Sequence, residues 1–468
     1  MTAPFSPLTG PLLDQLRETV PPDAFFLEEE IRRLYGRDET EDLLFVPEVV
    51  LKPGSVQAVS SVLQFATRHG IPVTPRGGGT GLSGGALPVH GGICLSMERF
   101  SRILEIDEEN LVAVAEPGVI TQTLQEAVEE RGLYFPPDPS SRGSSHLGGN
   151  LAECAGGPHA VKYGVTRDYV LGLEAVLPTG EVIKTGGRVL KNVTGYNLTQ
   201  LLIGSEGTLA VITRVTLRLI PAPRSRKVML VAFPTLEDAA AAVASVFHQG
   251  VTPAALEFME RSAVRAAEEK LGKKFPNGDA GAQLLIEIDG SSLETIDREI
   301  QATAEAVERH GATDVLLAED RKQIADVWAL RKTIGESVKS ISPYKEEDTV
   351  VPRSKLPELV RGVKAICDRY GITSICYGHA GDGNVHVNIL KAGMSDDAWN
   401  DHVESAVREI FELTVGLGGT ISGEHGIGYS QKGFLPIALS PVEIALMRRV
   451  KEAFDPRGIL NPGKIFPT

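Results

Sequence analysis

The apolar positions of this chain change period in a regular order. Val49–Leu51 is a continuous apolar run, Val56, Val59, Leu63 and Ala66 follow at helical spacing as far as Gly70, and Ile71-Pro72-Val73 is again a short run, so strand, helix and strand are predicted between Val49 and Pro75. Further short runs at Gly92–Leu95, Leu111–Ala115, Leu173–Leu177 and Leu209–Leu219, with one helix near Ile120–Arg131, predict an α+β domain over residues 47–220. Residues 1–46 read as a helical segment before it, with Glu28–Glu30 on a solvated helix face.

After PAPRSRK at 221–227, which reads as a hinge, the pattern repeats itself. Val228–Phe233, Leu236–His248 and Ala254–Phe258 make one strand-helix-strand unit, and Gln283–Asp289, Ser292–His310 and Thr313–Leu317 make a second. Two such units predict a ferredoxin-like α+β domain, here extending over 221–432 as a cap above a binding site. From residue 433 to 468 the chain turns helical again, with Ser440-Pro441-Val442-Glu443 as a capping box and a stop at Asp455-Pro456. The polar tail Asn461-Pro462-Gly463-Lys464 either returns to the first domain to touch a bound ligand or runs along the surface.

Composition narrows the function. With 468 residues, of which 42% are hydrophobic, the chain can bury a large core in two or three domains. Its 47 basic against 61 acidic residues give a net charge of -14, which disfavours nucleic acid and anionic lipid as partners. No apolar run approaches the roughly 18 residues a membrane span needs, and Arg17 is the first cation, so the start lacks the basic region of a signal peptide. A cytoplasmic location is expected. Cys94, Cys154, Cys367 and Cys376 form no C-x-x-C pair, which argues against disulfides and iron–sulfur clusters alike.

Three glycine-rich runs carry the first chemical signal. PRGGGTGLSGGA at 75–86 contains G-x-G-x-x-G as Gly79, Gly81 and Gly84, but Leu87-Pro88 and Gly91-Gly92 forbid the helix that a nicotinamide-binding fingerprint opens. What remains is the capacity of successive N–H groups without Cβ atoms to curl around phosphate oxygens, with Arg76 adding charge. GGNLAECAGGPHAVKYG at 148–164 and GSEGTLAVIT at 204–213 repeat the property, so a long, pyrophosphate-containing cofactor is expected.

The second signal is ICYGHAGDGNVHVNI at 375–389. Asp382-Gly383 favours a two-residue hairpin turn, which pairs His379 with His386 and puts Tyr377 and Asn388 on the same face, while Val385, Val387 and Ile389 point into a core. Two neighbouring imidazoles on a polar face are either a structural pair or metal ligands, with a third ligand available from GEHGIG at 423–428, where Glu424 and His425 stand.

The segments PRGGGTGLSGGA, PPDPSSRGSSHLGGNLAECAGGPHAVKYGVTRDYVLGLE and GSEGTLAVITRVTLRL resemble the flavin domain of vanillyl-alcohol-oxidase-type proteins, and the later motifs resemble the FAD-linked D-2-hydroxy-acid dehydrogenases. That family includes the D subunit of glycolate oxidase, D-lactate dehydrogenases and D-2-hydroxyglutarate dehydrogenase. The resemblance implies FAD held by Arg76, Gly77, Gly78, Gly79, Thr80, Gly81 and Leu82 around the pyrophosphate. It places Pro139, Ser140, Gly148, Gly149, Asn150, Gly156, Gly157, Gly164, Glu206, Gly207 and Ile212 near flavin or adenosine, and the tail reading adds Asn461. Gly79-Thr80 stands where some members carry a flavin-linked histidine, so non-covalent FAD is implied.

The resemblance further implies a divalent metal on His379, His386 and Glu424, with zinc or manganese suited to such ligands, His425 as base, and Asn388, Arg331 and Lys345 contacting substrate. Gly335 stands where the hydroxyglutarate enzymes carry a hydroxyl side chain, which favours a shorter acid such as glycolate or D-lactate. Electrons then leave to a separate acceptor, namely a quinone, another flavoprotein or a partner subunit, from a homodimer or hetero-oligomer. The alternatives are a partner-dependent flavoprotein subunit of a glycolate oxidase and an enzyme like alkyl-dihydroxyacetone-phosphate synthase.

Overall fold

A computed structural model describes residues 5–40 and 43–467. Residues 1–4 of the expected N-terminal segment, and residues 41 and 42, lie outside the described residues. The chain divides into two compact units. One gathers the described residues up to Gly156, then Val165–Ala222 and the chain from Glu424 onward; the other holds Gly157–Gly164 and Pro223–Gly423.

In the first unit, Val49–Leu51, Ile93–Ser96 and Val73–Arg76 are adjacent parallel strands, in that order. Burial on both faces of a parallel sheet explains why these strands are continuous apolar runs instead of alternating ones. Helix Val56–His69 crosses between the outer two. Ser55 Oγ accepts from Ala58 N at 3.2 Å at its start, and Gly70 ends it at φ 69°, the left-handed region where a Cβ is costly. The N-terminal segment is more than helical: after helix Gly10–Arg17, Phe25–Phe26 adds an antiparallel edge strand to this sheet, Phe25 opposite Leu51.

A second, antiparallel sheet runs Ile103–Asp107, Val112–Ala115, Val211–Arg218, Val170–Val176, Val182–Gly186. The C-terminal part belongs to the same unit. Ser440 and Glu443 close the expected capping box of helix Pro441–Phe454, and beyond it Asn461 N donates to Val73 O at 2.7 Å. Residues 424–432, assigned by the sequence reading to the cap, group with this unit because Glu206 accepts from Ile427 N at 2.8 Å and Gly428 N at 2.7 Å.

The second unit is built on a seven-stranded antiparallel sheet in the order Asp314–Ala318, Ser225–Phe233, Ala282–Gly290, Ala255–Glu260, Thr373–Gly378, Asn384–Leu390, Tyr344–Val350. Its first four strands have the ferredoxin-like order, as the two strand-helix-strand repeats predict. The remaining three extend the sheet through the histidine-bearing hairpin. On one face, helices Arg261–Leu271 and Arg321–Lys339 bury Val264, Trp328, Leu330 and Ile334 against Val228, Leu230 and Leu285.

Phe233, fully buried at the end of its strand, points to the opposite face of the sheet from Val228 and Leu230. Phe233→Ala is expected to cost about 3–5 kcal/mol through lost transfer energy and a residual cavity, read as a lower urea midpoint. Among the described residues no helix is long and apolar enough to cross a membrane.

Candidate functional site

The first unit brings its three glycine runs together at the end of strand Val73–Arg76. A Cβ added to Gly77 would sit 3.4 Å from Gly149 N, one on Gly78 would fall 2.6 Å from the Ser144 carbonyl, and one on Gly79, at φ 72°, would strike the Arg76 guanidinium. Gly148 packs against Pro117, where a Cβ would come within 2.7 Å, and Gly207 stands at φ 64° beside Pro75. At Gly78 and Gly148 these approaches leave no room for a Cβ, and bare backbone of this kind can present its N–H groups to a phosphate. After Gly84 the chain turns at Leu87–Gly91 without a helix, so the fingerprint Gly79, Gly81, Gly84 is not of the nicotinamide type.

The second run is not a plain loop. Gly148, Gly149 and Asn150 lie inside the short helix Leu147–Glu153, and Asn150 Nδ2 donates to Thr121 Oγ1 at 2.6 Å, fastening it. Gly157 and Gly164, at φ 135° and 85°, bound a segment that groups with the second unit. Lys162 Nζ lies 2.6 Å from Asp289 Oδ1, and Tyr163 donates to Asp289 Oδ2 at 2.7 Å. Pro139 is buried and Ser140 exposed in a turn, Thr80, Gly81 and Leu82 are half-buried, and Ile212 is buried in its strand.

Glu206 and Asn461 have internal tasks. Asn461 Nδ2 donates to Glu206 O at 2.7 Å and to Gly85 O at 3.0 Å, while the Glu206 carboxylate receives the Ile427 and Gly428 N–H groups. Burial raises the Glu206 carboxyl above its usual range, against those two N–H groups. Its acceptor pair fixes the chain just past Glu424 and His425, and Glu424 Oε2 lies where a Cβ on Gly156 would come within 2.8 Å.

In the second unit the hairpin has a different register from the one the sequence predicts. Tyr377 stands opposite His386, with Ile375 opposite Asn388. The expected pairing of His379 with His386 requires strands that continue to Asp382-Gly383, but the first strand ends at Gly378 and a wider loop follows, closed by Asn384 N donating to His379 O at 3.1 Å. Outside contacts hold that loop open: Gly381 N donates to Leu256 O at 2.9 Å, and Arg353 Nε donates to the Gly381 carbonyl. The two imidazoles still meet, edge to face, with centroids 5.2 Å apart.

Around them lies a ring of charge that the sequence reading missed. Glu257, wholly buried in Ala255–Glu260, accepts from His379 Nδ1 at 2.8 Å and from Arg331 Nε at 2.8 Å. Burial pushes its carboxyl up, but His379 and Arg331 outweigh that and hold it below the usual range. Arg331, on helix Arg321–Lys339, also lies over the Tyr377 ring at 5.2 Å. Glu346 and Asp348 approach His386 Nδ1 at 3.8 and 3.9 Å, and Asp348 Oδ2 accepts from Gly423 N at 2.8 Å.

Burial, then Glu346, drive the Tyr377 hydroxyl well above its ordinary range, so it stays a protonated donor. Asn388 is fully buried, and its side chain is a hydrogen-bonding partner of the Tyr377 hydroxyl that offsets part of that rise. The strand Tyr344–Val350 carries Lys345 beside Glu346 and Asp348. Glu346 and Asp348 pair with Asn388 and His386, whereas Lys345 pairs with Ile389 and so shares the opposite, Val385–Val387–Ile389 face. Alternation in KEEDTV was the available signal for Glu346 and Asp348; Glu257 sits in an apolar run, ALEFME, where one charge already calls for a buried partner.

Comparison with known proteins bears on both units. Residues 47–186 match the FAD binding domain family, and residues 222–465 match the family of FAD linked oxidases, C-terminal domain. The glycolate oxidase subunit GlcD of Bacillus subtilis is 39% identical over 98% of this chain and 97% of its own. The chain belongs to the FAD-linked D-2-hydroxy-acid dehydrogenase family. Another relative of this dehydrogenase-family chain is the D-lactate dehydrogenase of Anaerostipes hadrus, 38% identical over 98% of both chains. The fold is that of the vanillyl-alcohol-oxidase type: the solved 4-ethylphenol oxidase of Gulosibacter chungangensis, at 20% identity, aligns over 100% of this chain and 99% of its own with a TM-score of 0.79.

FAD fits the first unit because the converging runs include Gly81 and Gly149, where nothing lies within 4 Å of an added Cβ, and bare backbone of this kind can approach a pyrophosphate closely. The pure protein is expected to be yellow and to release FAD on acid treatment. A Gly78→Val variant, whose side chain would collide with the Ser144 carbonyl, is expected to be isolated largely without flavin, as read from the 450 nm to 280 nm absorbance ratio.

Proposed function

We propose that this flavoprotein oxidises a small D-2-hydroxy acid, of the glycolate or D-lactate class, to the 2-oxo acid, with a divalent cation, zinc or manganese, holding the substrate. The observation that carries the reading is the buried polar face of the second unit: His379 and His386 in contact, Arg331 beside them, and Asn388 fully buried on the strand of His386. His379 and His386 are the proposed ligands within this unit. Glu424, third of the set, follows Gly423 directly in the chain, and Gly423 is held by Asp348, the neighbour of His386.

When bound, the flavin takes up the two electrons and the hydrogen leaving C2, and the cation polarises the substrate's hydroxyl and carboxylate oxygens. The chain's own residues do the rest. His425 accepts the hydroxyl proton, a task suited to an imidazole at neutral pH. Arg331, with Nε and Nη2 turned to Glu257, presents its remaining edge to the substrate carboxylate, and Asn388 orients the acid by hydrogen bonding. Lys345, which pairs with Ile389 on the neighbouring strand, is the second proposed contact of the substrate carboxylate.

A short acid fits better than a dicarboxylate. Gly335, one turn after Arg331, leaves the Tyr377 hydroxyl 3.4 Å from an added Cβ, and Glu346 beside Tyr377 would repel a second carboxylate. Reduced flavin passes its electrons to a quinone, another flavoprotein or a partner subunit in the cytoplasm. Anaerobic reduction of the flavin by a panel of D- and L-2-hydroxy acids tests the substrate, and bleaching by none of them would overturn the reading. With glycolate or D-lactate present, NAD is expected to remain unreduced, since the glycine fingerprint opens no helix; growth of absorbance at 340 nm would contradict this.

A further inference from the structure

We infer that Glu257 is a positioning residue which fixes both the metal-facing nitrogen of His379 and the substrate-facing edge of Arg331 through one buried carboxylate. This rests on the metal reading above and adds a residue that neither the sequence motifs nor the family resemblance marks.

Glu257 is wholly inaccessible, so its oxygens must be satisfied by protein. Both carboxylate oxygens lie 2.8 Å from His379 Nδ1, and Oε2 also lies 2.8 Å from Arg331 Nε and 2.7 Å from its Nη2. A carboxylate only accepts, so the His379 proton is held on Nδ1 and Nε2 presents its lone pair outward. Hydrogen bonding of the rear nitrogen to a carboxylate is the usual way a ligating imidazole is oriented and made more basic. The same oxygens fix the guanidinium plane, leaving its Nη1 edge aimed away from Glu257. One side chain thus sets the distance between the cation and the carboxylate clamp, the two points that hold a 2-hydroxy acid.

The test is titration of zinc into chelator-treated, FAD-loaded full-length protein and its Glu257→Gln variant, followed by calorimetry. Gln keeps the shape but lacks the charge that holds both partners. Zinc affinity is expected to fall about 10- to 100-fold, with the flavin spectrum unchanged, and the KM for glycolate or D-lactate to rise by a larger factor than kcat falls. Equal zinc affinity in the two proteins would overturn the inference and leave the metal reading standing. Absence of zinc and manganese binding in the unaltered protein would instead overturn the metal reading, and this inference with it.

Should the variant not fold, nitrogen NMR of the unaltered protein labelled with 15N-histidine decides the same point. Zinc is expected to shift Nε2 of His379 and leave Nδ1 protonated, and zinc on Nδ1 would overturn the inference.

Discussion

His386→Ala is expected to yield a yellow protein that has lost its metal and whose flavin is reduced by substrate at least about a thousandfold more slowly. The size follows from the several kcal/mol that a cation contributes to charge developing on substrate oxygens, at about 1.36 kcal/mol per factor of ten. Flavin retention is expected because residues 77–81, Gly148, Gly149 and Gly207 belong to the first unit, whereas His386 belongs to the second. Removing the metal from the unaltered protein with a chelator is expected to reproduce the phenotype, and adding zinc or manganese to reverse it. Metal analysis beside anaerobic stopped-flow reduction checks all three. Were the metal-free protein to reduce its flavin at an undiminished rate, His379 and His386 would be a structural pair, and catalysis would rest on His425 and Arg331.

His425→Ala is expected to separate proton transfer from metal binding. The residue is assigned as base and not as ligand, so the variant should keep both metal and FAD while kcat falls about 10²- to 10⁴-fold, the usual contribution of general acid–base catalysis. The loop that carries His425 is fastened independently of its imidazole, by Glu206 receiving the Ile427 and Gly428 N–H groups, so the substitution leaves the backbone in place. Loss of metal in this variant would make His425 a ligand and remove it from the role of base. Glu206→Ala offers a contrast: it should slow turnover by releasing the loop and also lower stability, by about 1.5–3 kcal/mol per lost charged hydrogen bond.

The sequence alone determined those features whose cause is local. Apolar period sets whether Val49–Leu51 is a buried strand and whether Leu236–His248 is a helix, and the repeat of strand, helix and strand implies the ferredoxin-like order. Glycine at 78 and 148 records a need for close approach, legible before one knows what approaches. Alternation placed Tyr377, His386 and Asn388 on one face, because a strand's side chains change sides at every residue.

Tertiary structure decided what depends on distant partners. The hairpin register is such a case: Asp382-Gly383 by itself favours a tight turn, but the bonds from Leu256 and Arg353 to Gly381 outweigh that preference and set Tyr377, not His379, opposite His386. A two-residue shift preserves every side chain's face, which is why the histidine pair survived an incorrect pairing. The face on which Lys345 stands is decided in the same way, since it follows from the register with Ile389, which its own neighbourhood does not contain. The partners of the buried Glu257 are decided in the same way: a carboxylate in an apolar strand needs compensating charge, and its guanidinium and imidazole come from residues 74 and 122 positions away. Folding brings these charges together because burial leaves each no other partner.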